Sequence, residues 1–197
     1  GKTLDGWTIN CLPKDKQLAS RAWTVDGGNI LANSMGHTEH FYILLATDKE
    51  YDDFTLRLRF QVERGVTGNS GIQIRSRYNP KTGWMEGPQI EINPPDPKVT
   101  GKLWNEGPGP HRWLSNEPTE GLKFSYADEN DGWNDMEITA RGTRITSVLN
   151  GVTVVNCDGA GVLDDELHQK QKVGMKGVIG LQLHSFHQLK IRFRDIR

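Results

Sequence analysis

The sequence predicts an all-β fold, a two-sheet antiparallel sandwich of the jelly-roll type, and three observations lead to it. Apolar and polar residues alternate with a period of two in many short runs, the pattern of strands with one buried and one wet face. Turn residues punctuate those runs, with 22 glycines in 197 residues. No stretch sustains a 3.6-residue apolar period, and only residues 163–172 could hold one short surface helix. A chain of this length suits one large sandwich better than two domains, so residues 1–197 are read as one domain.

Taken in order, Trp23–Val25 and Asn29–Ala32 flank the turn sequence Asp26-Gly27-Gly28-Asn29, and Phe41–Leu45 is a third short strand candidate. Phe54–Val62 alternates without a break and is the clearest strand in the chain. The same reading covers Ile72–Arg77, Gln89–Asn93, Met136–Ala140, Arg144–Leu149, Val152–Asn156, Ile179–His184 and Leu189–Arg194. Asn150-Gly151 separates two of these runs, and both residues tolerate the positive φ of a type I′ turn, which predicts a tight hairpin. Residues 94–123 break the rhythm: Pro94, Pro95, Pro97, Pro108, Pro110 and Pro118 lie there with Trp104, Trp113 and His111. Loops beyond roughly 12–15 residues often serve as lids, and a lid is the reading adopted. The alternative is a proline-stiffened surface excursion with its tryptophans tucked onto the core.

Composition excludes several function classes. Lys+Arg 24 against Asp+Glu 25, a net charge of -1 spread along the chain, leaves no basic stripe for a phosphate backbone, so nucleic acid is not an expected partner. No apolar run approaches the ~20 residues of a membrane span. The chain opens on Gly1 with folded-domain sequence, as expected where a leader has been removed upstream. Cys11 and Cys157, the only cysteines, allow either one bridge or two buried thiols, and no multi-cysteine zinc site.

The outward positions of three strands carry large hydrogen-bonding groups. Ile72 and Ile74 face inward with Gln73, Arg75 and Arg77 outward; Ile90 and Ile92 inward with Gln89, Glu91 and Asn93 outward; Ile179, Leu181 and Leu183 inward with Gln182 and His184 outward. Were these strands neighbours, the groups would form a surface suited to sugar hydroxyls, with Trp84, Trp104, Trp113 or Trp133 as the aromatic platform. The alternative is an ordinary solvated sheet face, although such faces favour Lys, Glu and Thr over Gln, Arg, Asn and His.

In order along nearly the whole chain, Leu4-Asp5-Gly6-Trp7, Trp23 with Asp26-Gly27, Tyr51-Asp52-Asp53-Phe54, Asn69-Ser70-Gly71-Ile72 followed by Arg75, Trp133-Asn134, Leu149-Asn150-Gly151 and Ile179-Gly180-Leu181-Gln182-Leu183-His184 resemble the 3-keto-disaccharide hydrolase family. The resemblance implies a concanavalin A-like fold and a secreted or periplasmic bacterial protein. It also implies action on glycosides whose 3-hydroxyl a partner sugar dehydrogenase has oxidised to a ketone. Where that family has Gly, an acidic residue and Gln, this chain has Gly87-Pro88-Gln89-Ile90-Glu91, so Glu86 or Glu91 would stand in for the acid.

Ordinary glycosidases flank the scissile bond with two carboxyl groups. Here Glu86 precedes Glu91 by five residues, roughly 17 Å in extended chain, and the remaining candidates, Glu106 and Glu117, lie in the 94–123 stretch. A 3-keto sugar needs less: the ketone acidifies the hydrogen on carbon 2, so one base and one stabiliser of the enolate allow elimination at carbon 1, with hydration completing the cleavage. Glu91 or His184 is the expected base, and Arg75 or Arg77 the expected holder of the oxyanion. Glu91, His184 and Arg75 are thus the catalytic candidates, with Gln73, Arg77, Glu86, Gln89, Asn93, Trp104, His111, Trp133 and Gln182 as substrate contacts. No cofactor is required; a divalent metal is compatible with a ketone substrate, but its ligands are not evident. His37 and His40, like His184 and His187, are spaced three apart, which puts each pair on opposite faces of an extended strand unless a turn intervenes. Asp128-Glu129-Asn130-Asp131-Gly132 has the composition of a calcium loop without its spacing and reads as a solvated turn. The other reading of the same surface is a carbohydrate-binding module without catalysis, which would need aromatics and amides there but no poised base. An interaction domain for another protein would expose a large apolar patch, which a mean hydropathy of -0.61 does not suggest.

Overall fold

In a computed structural model, which describes residues 2–115 and 117–197, the alternating runs form strands of two antiparallel sheets. The strands are β1 (Trp7–Cys11), β2 (Trp23–Asp26), β3 (Asn29–Asn33), β4 (Ile43–Tyr51), β5 (Phe54–Val62), β6 (Ser70–Asn79), β7 (Trp84–Glu86), β8 (Pro88–Ile92), β9 (Leu103–Asn105), β10 (Arg112–Ser115), β11 (Asn134–Arg141), β12 (Arg144–Leu149), β13 (Val152–Asp158), β14 (Gly177–Leu183) and β15 (Lys190–Arg194). One sheet runs β1-β4-β14-β6-β8-β9-β10, with β7 hydrogen-bonded to β6; the other runs β13-β12-β11-β5-β15-β3-β2. Two short helices complete the chain, α1 (Lys16–Ala22) and α2 (Glu166–Gln171). The fold is the jelly-roll sandwich that the alternation predicts.

The inward residues make one apolar layer between the sheets. Ile43, Leu45, Ile72, Ile74, Ile90, Ile92, Leu181 and Leu183 meet Leu58, Phe60, Val62, Ile138, Ile191 and Phe193 from the opposite sheet, all buried. Each such side chain removed from water contributes roughly 1.5–3 kcal/mol, which is why the register cannot slip by one residue without exposing the whole set. Asn150 and Gly151 take φ of 49° and 80°, as a type I′ turn requires. Helix α2 lies within residues 163–172, where the sequence predicts one, whereas none is predicted at α1; the N-terminus of α2 is held by Asp165, whose carboxylate accepts from the His168 N–H. Cys11 and Cys157 are both free thiols.

Two expectations are corrected here. The 94–123 stretch is not a structureless lid. Pro97–Val99 form a 3-10 turn, β9 pairs with β8, and β10 pairs with β9, so the segment extends the eight-stranded sheet at its edge. Its prolines lie outside the β9 and β10 segments, where no ladder N–H is needed.

The outward reading of Arg75 and Arg77 fails because β6 carries a bulge. Val178 pairs with Ser76 but Gly180 pairs with Gln73, so β6 has one residue more than β14 between the two pairs. The extra residue is absorbed by Arg75 in the left-handed region at φ 49°, and every side chain beyond it changes face. Arg75 is fully buried, donating to the carbonyls of Asp52 (2.6 Å) and Gly142 (2.5 Å) and to the Asp53 carboxylate (2.9 Å). It ties β6 to the β4–β5 and β11–β12 turns. Arg77 donates to the Lys172 carbonyl at 2.9 Å and pairs with Glu50.

Candidate functional site

On the outer face of the eight-stranded sheet, away from the sandwich core, polar groups are as deeply buried as the isoleucines between them. Gln73, Gln89, Glu91 and Gln182 are 0–5% exposed. β8 and β14 lie on either side of β6, about 9–10 Å apart at the usual strand spacing, yet Gln182 reaches Gln89. Gly71 makes this possible. It pairs with Glu91, and a Cβ there would fall 2.3 Å from the Gln89 side-chain carbonyl carbon. A strand position without a side chain is the channel through which the amides meet.

The bonds across that channel have one direction. Gln73 Nε2 (2.5 Å) and Gln182 Nε2 (2.8 Å) donate to Gln89 Oε1, and Gln89 Nε2 donates to Glu91 Oε2 at 2.8 Å. Asn69 Nδ2 donates to the other oxygen of Glu91 at 2.6 Å. Gln182 Oε1 and Asn69 Oδ1 are left buried with no hydrogen-bond partner, acceptors of the kind that a ligand hydroxyl satisfies. The Glu91 carboxyl is pushed up to about 7, chiefly because burial disfavours its charge, against the two amide donors that favour it.

A second buried carboxyl lies within electrostatic reach of Glu91. Glu106 follows β9, its N–H bonded to the Gly87 carbonyl at 3.0 Å, and is 6% exposed. Burial, and next the charge of Glu91, push it up to about 7 as well, while a hydrogen bond with Trp104 opposes the rise. Beside this pair Tyr42 shares a 3.1 Å hydrogen bond with His184 Nε2. The His184 Nδ1 sits 2.9 Å from the Ser185 carbonyl; a carbonyl can only accept, so Nδ1 carries the proton and Nε2 accepts from the Tyr42 hydroxyl. Burial first, then the nearby His187 and His40, hold His184 below the usual histidine range, and burial raises the Tyr42 hydroxyl well above its own. The turn after β14 also brings His187 Nδ1 to 3.2 Å from His184 Nδ1, so that pair does converge.

The sequence candidates therefore divide. Gln73, Gln89, Glu91 and Gln182 form one bonded set, with Trp104 joined to it through Glu106 and His184 through Tyr42. His111 lies at the border, 5.1 Å ring to ring from Trp84, and Glu86 accepts from Asn79 at 2.9 Å. Four do not join the cluster. Arg75 and Arg77 turn away at the bulge. Asn93 closes its own turn, accepting from the Asp96 N–H at 3.2 Å. Trp133 borders the opposite sheet, with the Arg194 and Arg59 guanidinium groups 3.9 and 5.8 Å from its ring centre. Glu117 is exposed. Tyr42 was not legible as a site residue, since Phe41 through Ala46 is apolar on both faces and shows no parity. Among the described residues no three His, Cys, Asp or Glu side chains converge as a metal site.

Known structures with the same architecture include a candidate glycosyl hydrolase from Parabacteroides distasonis ATCC 8503, 17% identical over 100% of this chain and 89% of that one, with a TM-score of 0.66. The carbohydrate-binding module CBM66 from Bacillus subtilis is 15% identical over 97% and 93%, with a TM-score of 0.56. A Bacillus subtilis protein of unknown function with a galectin-like fold is 10% identical over 98% and 88%, with a TM-score of 0.54. At these identities the likeness is one of fold. No curated protein matches the sequence. The profile of the 3-keto-disaccharide hydrolase family, described as a 3-keto-alpha-glucoside-1,2-lyase-like domain, matches residues 1–197, and the chain belongs to that family.

Proposed function

We propose that this protein cleaves glycosides whose 3-hydroxyl has been oxidised to a ketone, by proton abstraction at carbon 2, elimination at carbon 1 and hydration. One observation carries the reading: Glu91 and Glu106 are both buried, are close enough for the charge of Glu91 to act on Glu106, and are both raised to about 7, so near neutral pH one can be ionised while the other keeps its proton. Family membership and the chemistry of the ketone support it.

Glu91 is the base. Its carboxylate is oriented by Gln89 and Asn69, and burial makes it more basic than an exposed glutamate. It takes the carbon-2 hydrogen as a proton, and the electron pair moves into the carbon-2–carbon-3 bond and onto the ketone oxygen. Tyr42, held as O–H, offers that oxygen a neutral donor by turning its single hydrogen from His184 Nε2 to the ligand. This takes the role that the sequence suggested for Arg75. As the enolate collapses, the carbon-1–oxygen bond breaks and the leaving oxygen takes the proton of Glu106. Water then adds across the enone, the carboxyls reversing roles, to give the free 3-keto sugar. The acceptors Gln182 Oε1 and Asn69 Oδ1 would receive sugar hydroxyls, and a substrate would enter past the half-buried Trp84, Trp104 and His184. In this reading a sugar 3-dehydrogenase supplies the substrate, and the protein acts outside the cytoplasm.

The second reading, a carbohydrate-binding module, draws on the likeness to CBM66; a purely binding surface would have no use for a pair of raised carboxyls. Proton NMR of the protein with a model glucoside and with its 3-keto form separates the two. Aglycone release from the keto form alone, lost at least a hundredfold in Glu91→Gln, is the expected result. Cleavage of neither, with saturable broadening of the sugar resonances, would make the protein a binding module.

A further inference from the structure

An unbroken series of aromatic rings runs from the Tyr42–His184 pair out to the surface. Tyr42 lies 4.8 Å from His184, 4.6 Å from Trp84 and 5.0 Å from Phe41, ring centre to ring centre. Phe41 lies 6.0 Å from both Trp84 and Phe186, edge to face, and His111 lies 5.1 Å from Trp84. These are the separations at which aromatic pairs attract. Burial falls along the series: Tyr42 is 5% exposed and Phe186 57%.

Phe186 is out of place for an ordinary surface residue. It holds a left-handed backbone at φ 60°, which bulky side chains avoid, and its N–H is bonded to the His40 carbonyl at 3.0 Å. The ring beneath it is accommodated deliberately. At Gly83, φ 76°, a Cβ would strike the Phe41 ring at 2.8 Å and Leu12 at 2.9 Å, so the turn between β6 and β7 leaves room for the Phe41 ring. A strained backbone at Phe186 and a side-chain-free position at Gly83 together present an aromatic edge to solvent, in the manner of a built contact surface.

Resting on the proposed function, we infer that Phe186, with Phe41, Trp84 and His111, is the leaving-group subsite and that it takes a planar aromatic aglycone. The carboxyls occupy the inner side of the site, at the sheet, where carbons 1 and 2 of the sugar must come. The group on carbon 1 then points outward along the ring series. An aromatic ring fills such a space by stacking against Phe186 and Trp84, whereas a small alkyl group leaves those faces in water.

The test compares phenyl and methyl glucosides, each unoxidised and in 3-keto form, by calorimetric titration; the keto forms are titrated into Glu91→Gln protein so that turnover does not intrude. Phenyl compounds should bind about fivefold tighter than methyl ones in both pairs. Phe186→Ala should bring the phenyl compounds to the methyl affinity, and Phe186→Tyr, which keeps the ring, should restore the difference. Equal binding of phenyl and methyl compounds, or a phenyl advantage that survives Phe186→Ala, would overturn the inference. The enzyme reading fails on a separate comparison: keto forms that bind no tighter than unoxidised ones and are not cleaved by the wild type, with the phenyl advantage intact, would remove the proposed chemistry and keep the aromatic subsite.

Discussion

The Gln89 side chain donates to the Glu91 carboxylate at 2.8 Å, and its carbonyl accepts from Gln73 at 2.5 Å and from Gln182 at 2.8 Å. Because Gln89 must present its nitrogen to the carboxylate, its oxygen is committed to the other two amides, which fixes their orientation in turn. A set of uncharged side chains thus holds the one carboxylate on which the proposed chemistry depends.

The raised carboxyls set the pH behaviour. A base that must be ionised and an acid that must be protonated, both near 7, give a bell-shaped kcat/KM with its maximum near pH 7. Stability carries the same signature. Their unfolded values are near 4.3, so between about 4.5 and 7 the folded state binds more protons than the unfolded one, and stability falls as pH rises through that window. The full decline is on the order of 3 kcal/mol for each carboxyl. Urea melts at pH 5 and pH 8 should show it, and Glu91→Gln with Glu106→Gln should flatten it.

Gly71→Ala is expected to damage the site more than the fold. The added methyl would meet the Gln89 side chain at 2.3–2.7 Å, forcing it off Glu91 at a stability cost of about 1–3 kcal/mol. Turnover of a 3-keto glycoside should drop by a factor on the order of a hundred while the circular dichroism spectrum is unchanged. Retained turnover would mean that the amide set does not position Glu91.

Tyr42→Phe keeps the ring contacts to Trp84 and Phe41 and removes the hydroxyl bonded to His184. The expected loss is in kcat, on the order of 10- to 1,000-fold, with KM little changed. A rise in KM alone would assign the hydroxyl to substrate binding.

Arg75→Met should behave as a folding defect. The three carbonyls it serves, those of Asp52, Gly142 and Gly174, would lose their donor, costing about 3 kcal/mol. The thermal midpoint should fall while activity per folded molecule at low temperature is kept; selective loss of turnover with full stability would return Arg75 to the chemistry.

Trp133→Leu should lower stability by about 1–2 kcal/mol through the lost contacts with Arg194 and Arg59, and leave the affinity for glycosides unaltered. Weakened sugar binding in titration would contradict its position on the far sheet.

Eleven of the fifteen described strands, all but β1, β7, β9 and β10, were legible in the sequence, as were the Asn150-Gly151 hairpin, the inward isoleucines and leucines, the family, and the outward Gln73, Gln89, Glu91 and Gln182. The family rests on the resemblance of motifs in order along the chain; the rest follow from a two-residue period or from turn chemistry, which act within a few neighbouring residues. Which outward groups meet depends on how the strands assemble. The bulge at Arg75 depends on how β6 pairs with β14, about a hundred residues away along the chain; one extra residue turned two expected site arginines away from the face. Glu106 comes within the electrostatic reach of Glu91 because β9 pairs with β8, and Tyr42 reaches His184 because β4 pairs with β14. Local alternation assigns a side chain to a face. Which partner it finds there is settled by strand order and register, and these are fixed by the burial of both sheets together.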